Sequence, residues 1–506
     1  MVTVDGSTLQ LEDVIKVACA GEKVAISPEA WERVARCRAR VEQMVANRET
    51  VYGVTTGFGK FADVSISPGD AEQLQANLIR SHACAVGTAL PQDVARAIMV
   101  LRANALAKGY SGISEATLRL LVDCLNHGVH PVIPEKGSLG ASGDLAPLSH
   151  LALLLMGEGE AKFQGKRMPA QQALARAGLA PVRLRAKEGL ALINGTQVMT
   201  AIGALTFARA ERLAKIADVI AAMTCEVLRG IADAYDEGIQ QVRPYPEQAV
   251  VAANLRDLLH GSQLTTRQGE LRVQDAYSLR CIPQVHGAVR QVLTYVADKL
   301  AVEINAATDN PLIFLETGRV ISGGNFHGQP IAFAMDFLKI GLSELANISE
   351  RRLERMVNGQ LSGGLPPFLS RRPGLESGMM IAQYVAASLV SENKVLCHPS
   401  SVDSIPSSAN QEDHVSMGTN AAQHAAQVVE NAARVLAIEL IAACEAAEHQ
   451  GADRLAPATR VLYEVVRETV EPILQDRSLT ADIERTARAL LDGSWLQRVQ
   501  TAVMVK

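Results

Sequence analysis

The chain has 506 residues, of which 48% are hydrophobic and 20% charged, and its formal net charge is −5. That length leaves room for about two to four domains with large cores, and the acidic balance offers no basic footprint for nucleic acid. The start, Met1 to Gly6, lacks the basic and apolar stretches of a signal peptide, and no uncharged apolar run reaches the roughly 18 residues of a membrane span.

Aromatic residues are only 4% while alanine and leucine abound, which favours closely packed helices. The eight cysteines (Cys19, Cys37, Cys84, Cys124, Cys225, Cys281, Cys397 and Cys444) contain no C-x-x-C pair and read as reduced, mostly buried thiols of a cytoplasmic protein. From Leu9 to about Ala46, polar and apolar positions alternate in threes and fours, which predicts helix with a break near Pro28. The run Val51 to Lys60 ends it with Gly53, Gly57 and Gly59, a mobile or sharply turned loop. It is not a P-loop, because Val54 stands where the first glycine belongs and Phe61 follows the lysine. Tyr52 lies at the edge of this loop, where a lone tyrosine is ordinarily surface decoration. Helical periodicity resumes near Ala71 and runs through His82, a position at which a single histidine is ordinarily structural. His127 and His130 flank Gly128-Val129 without further metal ligands nearby and read as turn residues.

The stretch Gly137-Ser138-Leu139-Gly140-Ala141-Ser142-Gly143-Asp144-Leu145-Ala146-Pro147-Leu148 carries unusual chemical potential. In a tight bend the amide nitrogen of Gly143 can attack the carbonyl carbon of Ala141, and glycine leaves that approach unblocked. Loss of one water closes an imidazolone ring, and dehydration of Ser142 leaves an exocyclic methylidene. By itself the tripeptide is equally an ordinary turn ahead of the apolar run Leu148 to Met156. Gly159 to Gly165 predicts a hairpin or loop, and Lys187 to Gln197, with Asn194 and Gly195, a further special turn.

A first domain is expected to end near residue 200. Beyond it, proline-free intervals carry long helical periodicity. Between Ile202 and Tyr235 apolar residues nearly encircle the helix, leaving a thin polar line through Arg212, Lys215, Glu226, Arg229 and Asp233, as in the middle of a bundle. Val415 to Glu448 predicts a helix of about 50 Å. Apolar character on several faces predicts that chains pack against one another. Short strands are expected at Leu312–Leu315 with Arg319–Ile321. Three breaks hold polar clusters, Val273 to Pro283, Ser322 to Pro330 and Ser404 to Val415, which suit either a site or helix caps.

Tyr52 with its loop, Asn77 to His82, Gly137 to Leu148, Asn194 to Gln197, Tyr277 to Arg280, Gly323 to His327 and Asn410 to His414 together resemble the aromatic amino acid ammonia-lyases, and among them the members acting on histidine. The match runs in family order over nearly the whole chain. The resemblance implies a mainly α, fumarase/aspartase-like fold, with an N-terminal domain 1–200 bearing the prosthetic group and an elongated long-helix bundle 201–506. It implies a homotetramer with shared active sites and a 4-methylidene-imidazol-5-one (MIO) formed autocatalytically from Ala141, Ser142 and Gly143, with no metal or dissociable cofactor. An electrophile of this kind turns the substrate's amine into a better leaving group, while a non-acidic β-proton is removed.

Residue roles follow by the same resemblance. Tyr52 is the general base, which requires its phenol, ordinarily near 10, to be lowered by positive charge or hydrogen bonds. Asn194 binds the MIO carbonyl oxygen or the amine, and Tyr277 assists at the amine. Arg280 clamps the substrate carboxylate, and Phe326 packs against the ring. His82, Gln411 and Glu412 belong to the side-chain pocket, Glu412 reaching an imidazole or moving protons. L-histidine is the favoured substrate and trans-urocanate with ammonia the products. The alternative is a tyrosine ammonia-lyase or tyrosine 2,3-aminomutase of the same family.

Overall fold

The computed structural model describes residues 1–61 and 63–506. Helices dominate among the described residues, and the strands are short and mostly paired two by two. Two compact units emerge. The first comprises Met1–Leu205, Ala297–Asp336 and Pro399–Gln423, and the second Thr206–Val296, Phe337–His398 and His424–Lys506. A single cut near residue 200 assigns 297–336 and 399–423 to the later unit instead. Four of the five divisions fall inside long helices, so helix ends and breaks in the sequence do not mark them.

In the first unit the expected break at Pro28 separates the helices Leu11–Cys19 and Pro28–Ala46. Ser27 caps the second helix, its hydroxyl accepting from the amide of Ala30, with proline at the first helical position where no donor is lost. Between them Val24–Ile26 pairs in parallel with Val2–Val4, a three-residue match too short to announce itself by alternation. The helix Gln92–Ala107 is buried at every residue from 94 to 107, polar Arg96, Arg102 and Asn104 included, and forms the unit's centre. Ala71–His82 is helical as expected. The hairpin expected within 159–165 joins Glu160–Phe163 to Lys166–Pro169, and that near 312 joins Leu312–Phe314 to Arg319–Ile321.

His127 ends the helix Glu115–His127 beside the left-handed Gly128, but His130 is not a turn residue. It lies in a two-residue strand, buried, with Nε2 3.0 Å from the Arg96 guanidinium. Burial first, then the charges of Arg96 and Lys162, push its pKa down to about 4, so it stays neutral. The thiols are also less uniform than expected, four buried, two half-buried and Cys19 and Cys84 exposed.

The helix through Ile202 runs from the first unit into the second and stops at Val227, and Arg229 turns left-handed at φ 53°. Glu226 leaves the expected polar line. It is buried and accepts from the amide of Ala456 at 2.6 Å and from the hydroxyl of Thr459, at the start of the helix Pro457–Arg467. Arg352 and Glu439 form a fully buried bidentate pair, with Thr224 and Ser349 donating to the same carboxylate. Asp218 accepts from Arg290 and Asn254 and faces His286 at 2.7 Å. These paired groups occupy the interior that an all-apolar bundle would fill. The helix expected from Val415 runs Gly418–Gln450. No described helix is long and apolar enough to cross a membrane.

Candidate active site

The glycine-rich stretch forms a turn whose geometry is set by close approach. Gly143 sits at φ 70°, and a Cβ there would overlap the carbonyl of Gly195. Gly140, at φ 63°, leaves no room for a Cβ against Ser416. Leu139 and Gly140 are tied through their carbonyls to the amides of Met417 and Ser416 at 2.9 and 3.3 Å. Asn194, at the end of the helix Glu188–Ile193, points its amide at Ser142, donating to the carbonyl oxygen and to Oγ at 2.9 Å each.

Asp144 holds the assembly together. Its buried carboxylate accepts from Ser138 at 2.8 Å, from Thr419, and from the amides of Val198 and Met199 at 2.8 and 2.9 Å. Its own amide donates to Gly195 at 2.7 Å. Burial pushes its carboxyl up from the ordinary range, and the four donated hydrogen bonds pull against that. The sequence contains one cue to this role, an acid placed between the small-residue triplet and an apolar helix. Asp144 serves the N-terminus of the later helix Gln197–Val227 rather than its own, which periodicity does not reveal.

Over the turn lies a cavity of about 1020 Å³ lined by Tyr52, His82, Ala141, Ser142, Gly143 and Glu412, with Leu74, Leu78 and Ile193 among its apolar wall. The Tyr52 hydroxyl accepts from the amide of Gly59 at 3.1 Å, and its ring meets Phe58 edge to face. The left-handed φ of Gly59, 55°, aims that amide. Burial raises the phenol pKa, the Gly59 bond lowers it, and the charges of Glu412 and Asp309 raise it again. Lys60 is the cation that lines the same cavity.

His82 ends its helix with Nδ1 3.0 Å from the Ser81 hydroxyl, which itself donates to the carbonyl of Leu78 at 3.0 Å. The donor and acceptor roles of the two ring nitrogens follow the tautomer. Burial lowers the pKa of His82, against the carbonyl of Leu78 and the charge of Glu412. Glu412 is held by Ser407, whose hydroxyl reaches its carboxylate at 3.2 Å and whose amide donates to its carbonyl at 2.9 Å. Ser408, Ala409 and Asn410 just before it all have left-handed φ, between 52° and 69°.

Other predicted residues stand apart from this lining. Gln411 is exposed, and Phe326 is half-buried in the turn before the helix Gln329–Val357. Tyr277 and Arg280 belong to the second unit, on the short helix Tyr277–Arg280, where the guanidinium lies 4.6 Å over the ring. Tyr277 is 70% exposed, and the Arg280 side chain makes no hydrogen bond among the described residues, its Nε being buried and unpartnered. No group of three or more His, Cys, Asp or Glu among the described residues could hold a metal ion.

A helical fold with a clamped Ala-Ser-Gly turn beneath a Tyr-, His- and Glu-lined cavity defines a lyase class, and comparison with known proteins identifies the family. The aromatic amino acid lyase family matches residues 9–468, and the chain belongs to it. It is 62% identical to a histidine ammonia-lyase of Geobacillus sp. (strain WCH70) over 99% of this chain and 98% of that one. With a histidine ammonia-lyase of Bacillus mycoides (strain KBAB4) it shares 59% over 97% of each. Among solved structures, the histidine ammonia-lyase of Trypanosoma cruzi superposes with a TM-score of 0.92 at 44% identity, covering 99% of this chain and 95% of that one. The tyrosine aminomutase of Streptomyces globisporus superposes at 0.96 and 41%, covering both chains fully.

Proposed function

We propose that this lyase deaminates L-histidine to trans-urocanate and ammonia in the cytoplasm, using an MIO made from its own Ala141, Ser142 and Gly143. The observation that carries the reading is the pairing of the Asn194-clamped Ser142 with Glu412 and His82 in one cavity, in a chain at 62% identity to a histidine ammonia-lyase.

The residues present fit the group. Only glycine can occupy position 143 against Gly195, and a residue without a side chain is the one whose amide can attack Ala141 unhindered. Asn194 already donates to the oxygen that ring closure retains as the carbonyl of Ser142. Once formed, the group supplies an electrophile that makes the substrate's amine a leaving group. Asn194 then holds the ring carbonyl, and Phe326 keeps the ring from tilting. Glu412 offers an acceptor and His82 a second polar partner, which suits an imidazole. A phenyl ring would leave Glu412 facing an apolar partner. Arg280, whose Nε has no partner among the described residues, takes the carboxylate as a charge-assisted, bidentate pair. Tyr277 assists at the amine, and Gln411 borders the side-chain pocket.

Tyr52 removes the β-proton. Burial and the nearby carboxylates raise its phenol pKa in a single chain, and a cation close to the hydroxyl would lower it. Exposed apolar side chains such as Ile381, Tyr384 and Val395 support association of chains, and the family resemblance supports a homotetramer in which the Tyr52 loop meets the helix-end clusters of other subunits. The test is Ser142→Ala, which cannot form a methylidene. It should fold normally, lack the methylidene by the mass of the peptide spanning 141–143, and release no ammonia from L-histidine. Turnover at the wild-type rate would overturn the reading. An aminomutase outcome, favoured by the 0.96 superposition on the tyrosine enzyme, would instead give a β-amino acid without free ammonia.

A further inference from the structure

The helix Gln92–Ala107 carries a buried arginine with no carboxylate among its hydrogen-bond partners. Arg102 is 1% exposed. One terminal nitrogen donates to the carbonyl of Asn194 at 3.0 Å and to Oε1 of Gln197 at 2.5 Å, and the other donates to the carbonyl of Ala191. Gln197 in turn donates to the hydroxyl of Thr308 at 2.9 Å. The acceptors at 191 and 194 are the unpaired carbonyls at the end of the helix Glu188–Ile193, where a cation is electrostatically favoured. The third donor position, Nε, is buried and unpartnered. Reaching residues 191–197 leaves one polar atom unsatisfied.

The order of packing explains what this achieves. A Cβ on Gly195 would overlap the Arg102 guanidinium and Oε1 of Gln197, so the arginine lies close against the backbone of Gly195. The carbonyl of Gly195 accepts from Asp144, and a Cβ on Gly143 would overlap that carbonyl. Arg102, the Asn194-Gly195 segment and the Ser142-Gly143 turn are thus stacked in contact.

We propose that Arg102 is a positioning residue for maturation, the rigid wall behind Asn194 and Gly195 that keeps the Ala141-Ser142-Gly143 turn compressed for ring closure. The proposal rests on the MIO reading above. In that closure the nitrogen of Gly143 bonds to the carbonyl carbon of Ala141, whose oxygen leaves as water. Ser142 then loses its hydroxyl and its Cα proton as a second water, with no change in overall oxidation state. If the wall yields, the segment 194–195 recedes and the turn relaxes to an ordinary separation, at which the attack is slow.

The experiment compares purified full-length wild type, Arg102→Met, Arg102→Lys and Arg96→Met by the mass of the peptide spanning 141–143 at set times after synthesis, alongside thermal melting. Arg96 is a control on the same helix, buried and donating to the carbonyls of Val17 and Leu125 at 2.7 and 3.2 Å. Arg102→Met should melt cooperatively yet dehydrate at least about tenfold more slowly, having lost its charge-assisted hydrogen bonds. Arg102→Lys should fall between it and wild type, since one ammonium cannot reproduce the fork. Arg96→Met should lose melting temperature and dehydrate normally. Wild-type dehydration in Arg102→Met or Arg102→Lys would overturn the proposal. So would equal slowing in Arg96→Met, or loss of the fold in both Arg102 variants, which would make Arg102 a folding residue. Absence of dehydration in the wild type would instead defeat the MIO reading itself.

Discussion

At the scale of single residues, chemistry is carried by groups whose surroundings set their charge. Glu412 is felt electrostatically at both Tyr52 and His82, so its charge is central to the cavity. Glu412→Gln keeps the shape and removes the charge. Its kcat/KM for L-histidine should fall by at least about a hundredfold with little change in melting temperature, since a site built for a polar group discriminates by hydrogen bonding. Tyr52 acts as a base only when ionised, and burial holds its phenol above the usual value in the single chain. The rate should therefore rise with pH as the phenol ionises, and Tyr52→Phe should lose about 10²- to 10⁴-fold in kcat together with that rising limb. A pH-independent rate in the wild type would remove Tyr52 from the base role. Ser142, Asn194 and Glu412 were legible in the sequence because each sits in a compact motif. Asp144 and Arg102 were not, because their partners lie at residues 198–199, 419 and 191–197, and no local spacing encodes those contacts.

At the scale of elements, periodicity served the helices well and the short strands poorly. Ala71–His82 and Gly418–Gln450 are amphipathic or apolar over several turns and were visible for that reason. A two-residue strand has no period to detect, so in the sequence His130 reads as a turn residue. Its true setting makes a stability prediction. The folded pKa, about 4, lies below the unfolded value near 6.5. Stability from its neutral form is thus fully present above the unfolded pKa and is lost as pH falls toward about 4. The loss amounts to at most about 3 kcal/mol. Urea unfolding between pH 7 and pH 4 should show this decline, and His130→Gln should flatten it. An unchanged slope in that variant would place the acid sensitivity elsewhere.

At the scale of the whole molecule, the sequence announced a helical lyase but not which segments make up each compact unit, because the divisions fall within continuous helices. Within the second unit Ile340, Ile381, Tyr384 and Val395 are exposed apolar side chains, which suits burial against further chains. If sites are shared among subunits, mixing Tyr52→Phe chains with Ser142→Ala chains should restore part of the activity that each lacks alone. A fully active monomer in sedimentation would contradict the tetramer. The central claim is the reaction itself. The most direct measurement offers L-histidine, L-tyrosine and L-phenylalanine separately to the purified protein and follows ammonia together with the ultraviolet absorbance of each conjugated acid. L-histidine should yield urocanate and ammonia in equal amounts, with phenylalanine slower by about 10⁴-fold. Faster conversion of tyrosine, or a β-amino acid appearing without free ammonia, would contradict it.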